Sequence, residues 1–227
     1  MMKKLGYLVL CMVLLLCGCS NTHSGTAASA DMGFRDDDTD IEYVACNLYA
    51  IKPINLGEVY CEVDGLPYYQ IDFQEPTDYL CDLDPDSGSS YVYRNKKLPD
   101  IDAKAFDAIA AWLYIDGETP VRAATLYADD EYLDPSLRGQ NDSQDTDKVR
   151  LITKAIVEGE HVSVSMADSD RNTEYEFRLL SNKFPGLYYS VWFFSDSFGK
   201  YYFHDYVSGK TVVAPSEISA WVAGNQA

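Results

Sequence analysis

The side chains able to do chemistry are few, and their spacing suits little of it. The 227 residues hold only three histidines, His23, His161 and His204, and six cysteines. H-E-x-x-H, Cys-x-x-Cys and G-x-S-x-G are all absent, so neither a zinc-binding pattern nor a nucleophile elbow is written in the chain. Ser208-Gly209-Lys210-Thr211 contains G-K-T. A phosphate loop needs a further glycine five positions before its second, where His204 stands, and it must open a helix whose N–H groups cradle the phosphates. This string lies between two strand-like segments and reads as a hairpin turn. Asp82, Asp84 and Asp86 alternate like the first ligands of a calcium loop. Ser87 then replaces the turn glycine at the sixth position, Tyr93 replaces the bidentate glutamate at the twelfth, and Pro85 fixes the backbone between. An acidic turn is the expectation, with no cofactor, no metal site and no catalytic residue.

Cys46, Cys61 and Cys81 permit one disulfide and one spare thiol, or three small buried apolar side chains. No spacing favours a nucleophilic cysteine paired with His161 or His204. The aromatic content is the unusual feature. Between Gly186 and Tyr206, ten of 21 residues are aromatic: Tyr188, Tyr189, Trp192, Phe193, Phe194, Phe198, Tyr201, Tyr202, Phe203 and Tyr206. Both alternating faces of Tyr188 to Phe194 are apolar or aromatic, so this strand is expected to be central and covered on both sides. Packing is the first use of such rings; a wall that stacks on sugars or on a partner's apolar patch is the second.

Lys3 and Lys4 precede an apolar run, Leu5 to Cys17, interrupted only by Gly6. Thirteen residues of helix span about 20 Å, too short for a hydrocarbon core of roughly 30 Å. This is the shape of a signal peptide rather than a membrane anchor. The run ends Leu16-Cys17-Gly18-Cys19, which resembles the lipobox of bacterial lipoproteins. The resemblance implies cleavage before Cys19 and lipid on its thiol, with two or more acyl chains giving a stable anchor. It also implies a place at the cell membrane, on the extracytoplasmic face. Beyond this box the body is similar to uncharacterised Gram-positive lipoproteins in general texture only.

Formal net charge is −18 and the isoelectric point about 4.3. Phosphate neutralisation needs clustered Lys and Arg, so a nucleic-acid partner is excluded as an expectation. Loss of Lys3 and Lys4 leaves 16 basic against 36 acidic residues, a charge of about −20. Anionic membrane surfaces repel such a body. Residues 20–40 are small, polar and acidic, ending in Asp36, Asp37, Asp38 and Asp40. They read as a flexible tether spanning roughly 25 Å r.m.s., with the acidic run solvated.

The organisation expected is therefore a signal peptide over 1–18, a lipidated N-terminus and tether over 19–40, and a globular domain over 41–227. Strands are expected at Glu42 to Ala50, Glu58 to Val63, Leu66 to Phe73 after an Asp64-Gly65 turn, Tyr91 to Arg94, Val121 to Tyr127, Val162 to Met166 and Glu174 to Leu180, with a helix as the alternative over Phe177 to Leu180. Leu80 to Ser90 reads as a loop, and the region from Gly186 to Val213 as a three-strand meander. Phe106, Ile109, Ala110 and Leu113 fall at helical spacing, so Asp100 to Asp116 is expected as the principal helix, capped by Asp100 or Asp102 and ended by Gly117. Asp147 to Glu158 is a second helix and Pro215 to Val222 a short third. The fold class expected is α+β, mainly antiparallel sheet with two amphipathic helices and a short C-terminal one. Ile109-Ala110-Ala111-Trp112-Leu113 echoes Ile218-Ser219-Ala220-Trp221-Val222, which raises the idea of two related halves meeting near 117–121.

These features favour a lipid-anchored binding or accessory module at the cell surface, holding a protein or glycan ligand. The alternatives are an extracytoplasmic hydrolase using paired carboxylates and a structural component of the envelope.

Overall fold

Period-two alternation, not helical spacing, governs most of the chain. The computed structural model describes residues 22–28, 33–50, 56–83, 91–114, 120–125, 146–164 and 175–223. Among these, thirteen strands join in one continuous sheet. They are β1 (His23–Ala28), β2 (Gly33–Asp36), β3 (Ile41–Ala50), β4 (Leu56–Val63), β5 (Leu66–Ile71), β6 (Tyr79–Cys81), β7 (Tyr91–Asn95), β8 (Ala110–Tyr114), β9 (Pro120–Thr125), β10 (Tyr175–Leu180), β11 (Leu187–Ser195), β12 (Tyr201–Asp205) and β13 (Lys210–Val213). The helices are α1 (Ala103–Phe106), α2 (Thr146–Glu158) and α3 (Ser216–Ala223).

Seven strands close on themselves in the order β2-β1-β4-β5-β6-β7-β3, and β3 pairs back to β2. Closure removes the exposed edges that an open sheet would present. The lumen is filled by the chain's own rings. Phe34 lies 4.0 Å from Tyr68, 4.9 Å from Tyr43 and 5.6 Å from Tyr93, centroid to centroid. Cys61, Val63 and Leu80 complete this filling. The β4–β5 turn has both central residues in the left-handed region, Asp64 at φ 52° and Gly65 at φ 80°, as a two-residue hairpin requires.

The long strand β11 fuses the barrel to a second layer. Its first residues, Leu187–Tyr189, pair with β3, and Val191–Ser195 pair with β12. Its other edge carries β10, then β8 and β9. The helices pack on one face of this layer. Val149, Ile152 and Ile156 of α2 and Ile218, Trp221 and Val222 of α3 meet Phe177, Leu179, Val191, Phe193 and Phe203. The barrel's outer wall, through Leu48, Ile71, Tyr79, Cys81 and Val92, belongs to the same core.

The expected α+β class is thus corrected: the chain is mostly β, a closed barrel extended by further strands, with three short helices among the described residues. The largest single difference is Asp100 to Asp116. Asp102 does cap a helix, its carboxylate accepting from Ala105 N–H at 2.7 Å. That helix ends after one turn, at Asp107 in the left-handed conformation, and Ala110–Tyr114 is a strand. Ala110–Leu113 of the Ile109–Leu113 string is therefore strand, whereas Ile218–Val222 is helix. Residues 161–164 form neither helix nor strand, and Tyr79–Cys81 is a strand where a loop was expected from Leu80 onward.

The segment read as a tether also contributes strands. His23–Ala28 pairs with both β2 and β4, and Gly33–Asp36 with β1 and β3. Small residues belong there because the backbones approach closely: a Cβ on Gly33 would sit 2.3 Å from Tyr43 O, and one on Gly25 2.8 Å from Arg35 O. Asp36 is fully buried rather than solvated. Its carboxylate accepts from Asp38 N–H at 3.0 Å and Thr39 Oγ1 at 2.6 Å, and pairs with His23 Nδ1 at 3.0 Å. The same device recurs at Asp205, which accepts from Tyr189 Oη, Val207 N–H and Ser208 Oγ, and at Asp196, which accepts from Phe198 N–H, Lys200 N–H and Tyr202 Oη. Part of the acidic composition is thus spent on pinning hairpins.

Burial pushes the Asp36 carboxyl up, but the hydrogen bonds from Thr39, His23 and Asp38 N–H outweigh it and hold it below the ordinary value. A carboxylate lowered in the folded state contributes stability above its unfolded value, and loses it as pH falls through the folded one. Urea midpoints should therefore drop as pH is taken below about 4. They should drop less steeply in Asp36→Asn, which is destabilised at neutral pH; equal slopes would remove Asp36 from the account.

Candidate functional site

Opposite the helix-covered face, the second layer carries a different chemistry. On β10, Glu176, Arg178 and Leu180 alternate with the core residues Tyr175, Phe177 and Leu179. Register places Arg178 between Trp112 and Ser190, Glu176 between Tyr114 and Trp192, and Leu180 between Ala110 and Tyr188. Tyr188 is opposite Tyr49, and Tyr49 is opposite Tyr91. Antiparallel pairing thus gathers residues from five strands onto one face.

The polar centre is a fixed network. Arg178 Nε donates to Glu176 Oε2 at 2.9 Å, and Ser190 Oγ donates to Glu176 Oε1 at 2.7 Å. The pair is mostly buried, with side-chain exposures of 21% for Arg178 and 15% for Glu176. The guanidinium carbon lies 3.9 Å from the Tyr114 ring centre and 4.8 Å from that of Tyr188, within cation–π range of both. Tyr188 stacks on Tyr49 at 5.3 Å with 18° between planes, and Tyr49 meets Tyr91 at 5.9 Å. Tyr91 is exposed. The face therefore runs from a buried ion pair to an exposed ring through a line of tyrosines.

Burial raises the phenols of Tyr49 and Tyr188, which therefore stay neutral; nearby Arg178 partly offsets this for Tyr188. On the far side of β11, Trp192 and His204 both meet the exposed Tyr206, at 6.3 and 4.7 Å. Burial lowers the His204 imidazole, whose Nδ1 is 2.9 Å from Thr211 Oγ1. Trp112 is buried, and its Nε1–H has no hydrogen-bond partner among the described residues. The accessible part of the face is the exposed Tyr91 ring with the half-buried Tyr49 and Tyr188 behind it; Trp112 and Tyr114 are buried beneath, around Arg178.

The residues singled out in the sequence are scattered. Of the ten aromatics, Tyr189, Phe193 and Phe203 lie in the helix-side core, while Phe194 and Tyr202 are buried against each other. Tyr188, Trp192 and Tyr206 reach the candidate face, and Phe198 projects from the β11–β12 turn. The Gly209–Lys210–Thr211 string is a hairpin turn entering β13, as expected, and Lys210 Nζ donates to the carbonyls of Ile156 and Val157 at the end of α2. Asp82 accepts from Tyr91 N–H and Tyr93 Oη, both at 2.9 Å. Asp84, Asp86 and Cys19 lie outside the described residues. Cys46, Cys61 and Cys81 form no disulfide with one another; in register they face Val92, Tyr68, and Tyr69 with Val92. Burial pushes the Cys46 thiol up to about 11 and Cys61 to about 12, which leaves both un-ionised and inert.

Tyr49, Tyr91, Trp112, Tyr114, Glu176 and Arg178 were not singled out by the sequence. The available signal was Glu176 and Arg178 alternating with apolar residues in an otherwise buried strand.

No family model matches the chain, and no curated protein or solved structure matches it.

Proposed function

We propose that this protein is a lipid-anchored binding module on the extracytoplasmic face of the cell membrane. Its ligand surface is the accessible end of this face, where Tyr91 is exposed and Tyr49 and Tyr188 are half-buried, backed by the mostly buried Arg178 and the buried Tyr114. The anchor rests on Leu16-Cys17-Gly18-Cys19, and the binding role on the continuous run of rings ending at a fixed guanidinium. A face serving only as core would be cheaper to build from aliphatic side chains, since a mostly buried ion pair gains little stability over them. Tyr, Trp and Arg are instead the residues that dominate binding hot spots. Among the described residues, Glu176 is the only carboxylate that β8, β10, β11 and β12 place on this face, and Ser190 and Arg178 already engage it. That favours binding over hydrolysis by paired carboxylates. The ligand class that suits stacked phenols and a guanidinium is a glycan or the polar, ring-bearing surface of a partner protein.

The test has two arms. Cys19→Ala should abolish incorporation of labelled fatty acid and leave precursor or released protein; unchanged labelling refutes the anchor. The purified chain in detergent should bind a wall or surface glycan saturably without turnover in an array. Tyr49→Ala should weaken that binding by roughly 30-fold, the equivalent of about 2 kcal/mol at a hot spot. Turnover, or binding indifferent to Tyr49, refutes the reading.

A further inference from the structure

A second set of groups lies at one end of the barrel, away from the aromatic face. His23 on β1 and Asp36 at the end of β2 are thirteen residues apart in sequence, and Asp38 follows in the β2–β3 turn. One ligand atom from each of the three residues lies within 4.8 Å of the others. The backbone holds both sides in place. β1 pairs with β2 through Gly25 and Asp36, Asp37 N–H donates to Ser24 O at 3.0 Å, and Ser24 N–H donates to Asp38 Oδ2 at 2.9 Å. The His23 ring is further fixed against Tyr60, 4.6 Å away.

We propose that His23, Asp36 and Asp38 bind one divalent transition-metal cation of the zinc type. Two carboxylates balance the charge of a divalent ion, and an imidazole nitrogen with two oxygens is a ligand set such ions accept. His23 Nδ1 and Asp36 Oδ2 are 3.0 Å apart. Two atoms each about 2.1 Å from one ion at the tetrahedral angle are about 3.4 Å apart, so the two groups need to part by only a few tenths of an ångström to admit it. The ion replaces the hydrogen bond between imidazole and carboxylate, and any proton on Nδ1 leaves to solvent or to Nε2. Asp38 is exposed, which leaves an entry path and room for water to complete the coordination. Calcium and magnesium prefer all-oxygen shells and are disfavoured by the imidazole. No sequence motif announces the site, because the fold and not the spacing brings the three residues together.

The experiment uses the full chain in detergent, stripped with chelator and dialysed against micromolar zinc, manganese or calcium. One equivalent of zinc should bind and raise the melting temperature. His23→Gln and Asp38→Asn should each weaken zinc binding by at least about tenfold. Asp38→Asn keeps an oxygen for Ser24 N–H, so a native circular dichroism spectrum in that variant separates ligand loss from misfolding. Absence of zinc binding, a calcium affinity equal to that for zinc, or zinc binding unchanged in both variants overturns the proposal. The last result would place the ion elsewhere, for example on the thiols.

Discussion

Phe106→Ala should lower stability by about 3–5 kcal/mol, the range for removing a fully buried aromatic ring from a core that cannot collapse around the gap. The ring is 0% exposed. It stacks on Phe184 at 5.4 Å with only 6° between planes, and lies 5.5 Å from Tyr189. Phe184 in turn meets Tyr79 of the barrel wall at 6.4 Å. Phe106 thus fills the junction between the barrel and the second layer, where β11 holds the backbone on one side and α1 ends on the other. Tyr189 cannot move into the space without stretching its 2.8 Å hydrogen bond to Asp205. The measurement is the urea midpoint at an unchanged m-value, where a lower midpoint reports stability alone. Phe106→Leu should lose less, because it keeps most of the volume. A loss below about 1 kcal/mol for the alanine variant would mean that the ring is not packed as described.

Phe106 is buried although the helix expected over Asp100 to Asp116 is one turn followed by the strand Ala110–Tyr114. Phe106, Ile109, Ala110 and Leu113 fit a helical face, but Ala111 and Leu113 also alternate with Ala110, Trp112 and Tyr114. A strand buried on both faces carries no polar residues to break the tie, and β8 is buried at every position. Pairing with β9 and β10 decided it, and those partners are remote in sequence. The helix over 147–158 was legible because its polar face is real. Val149, Ile152 and Ile156 are buried, whereas Asp147, Arg150, Lys154 and Glu158 are exposed. The meander from Leu187 to Val213 was legible for a related reason, since its hairpin turns carry Gly199 and Gly209 at positive φ.

The first barrel strands were hidden by composition. H-S-G-T-A-A looks like a linker, yet the small side chains are what allow β1 to lie close between β2 and β4. The acidic run misled in the same way: Asp36 is buried because its hydrogen bonds are local, to Asp38 N–H and Thr39, and only His23 comes from elsewhere. The candidate face was invisible as a unit. Its members come from β3, β7, β8, β10 and β11, and only their register makes them neighbours.

Glu176→Ala should cost about 3 kcal/mol, because it removes the carboxylate from a guanidinium that is mostly out of water. It also takes the acceptor from Ser190 Oγ. Tyr114 and Tyr188 remain over Arg178, but ring quadrupoles replace an ionic partner only in part. If the pair existed for stability alone, removing both charges would be no better than removing one. The physics predicts otherwise, since exchanging a buried pair for packed apolar side chains is often neutral or stabilising. Glu176→Leu combined with Arg178→Leu should therefore recover most of what Glu176→Ala loses, as read from denaturant midpoints. The same double variant should fail to bind the ligand identified on the glycan array, because the guanidinium at the end of the tyrosine row is gone. Stability restored with binding lost would show that the charges are retained for recognition. Stability still low in the double variant would assign the network to folding and take away the main support for this face as a binding surface.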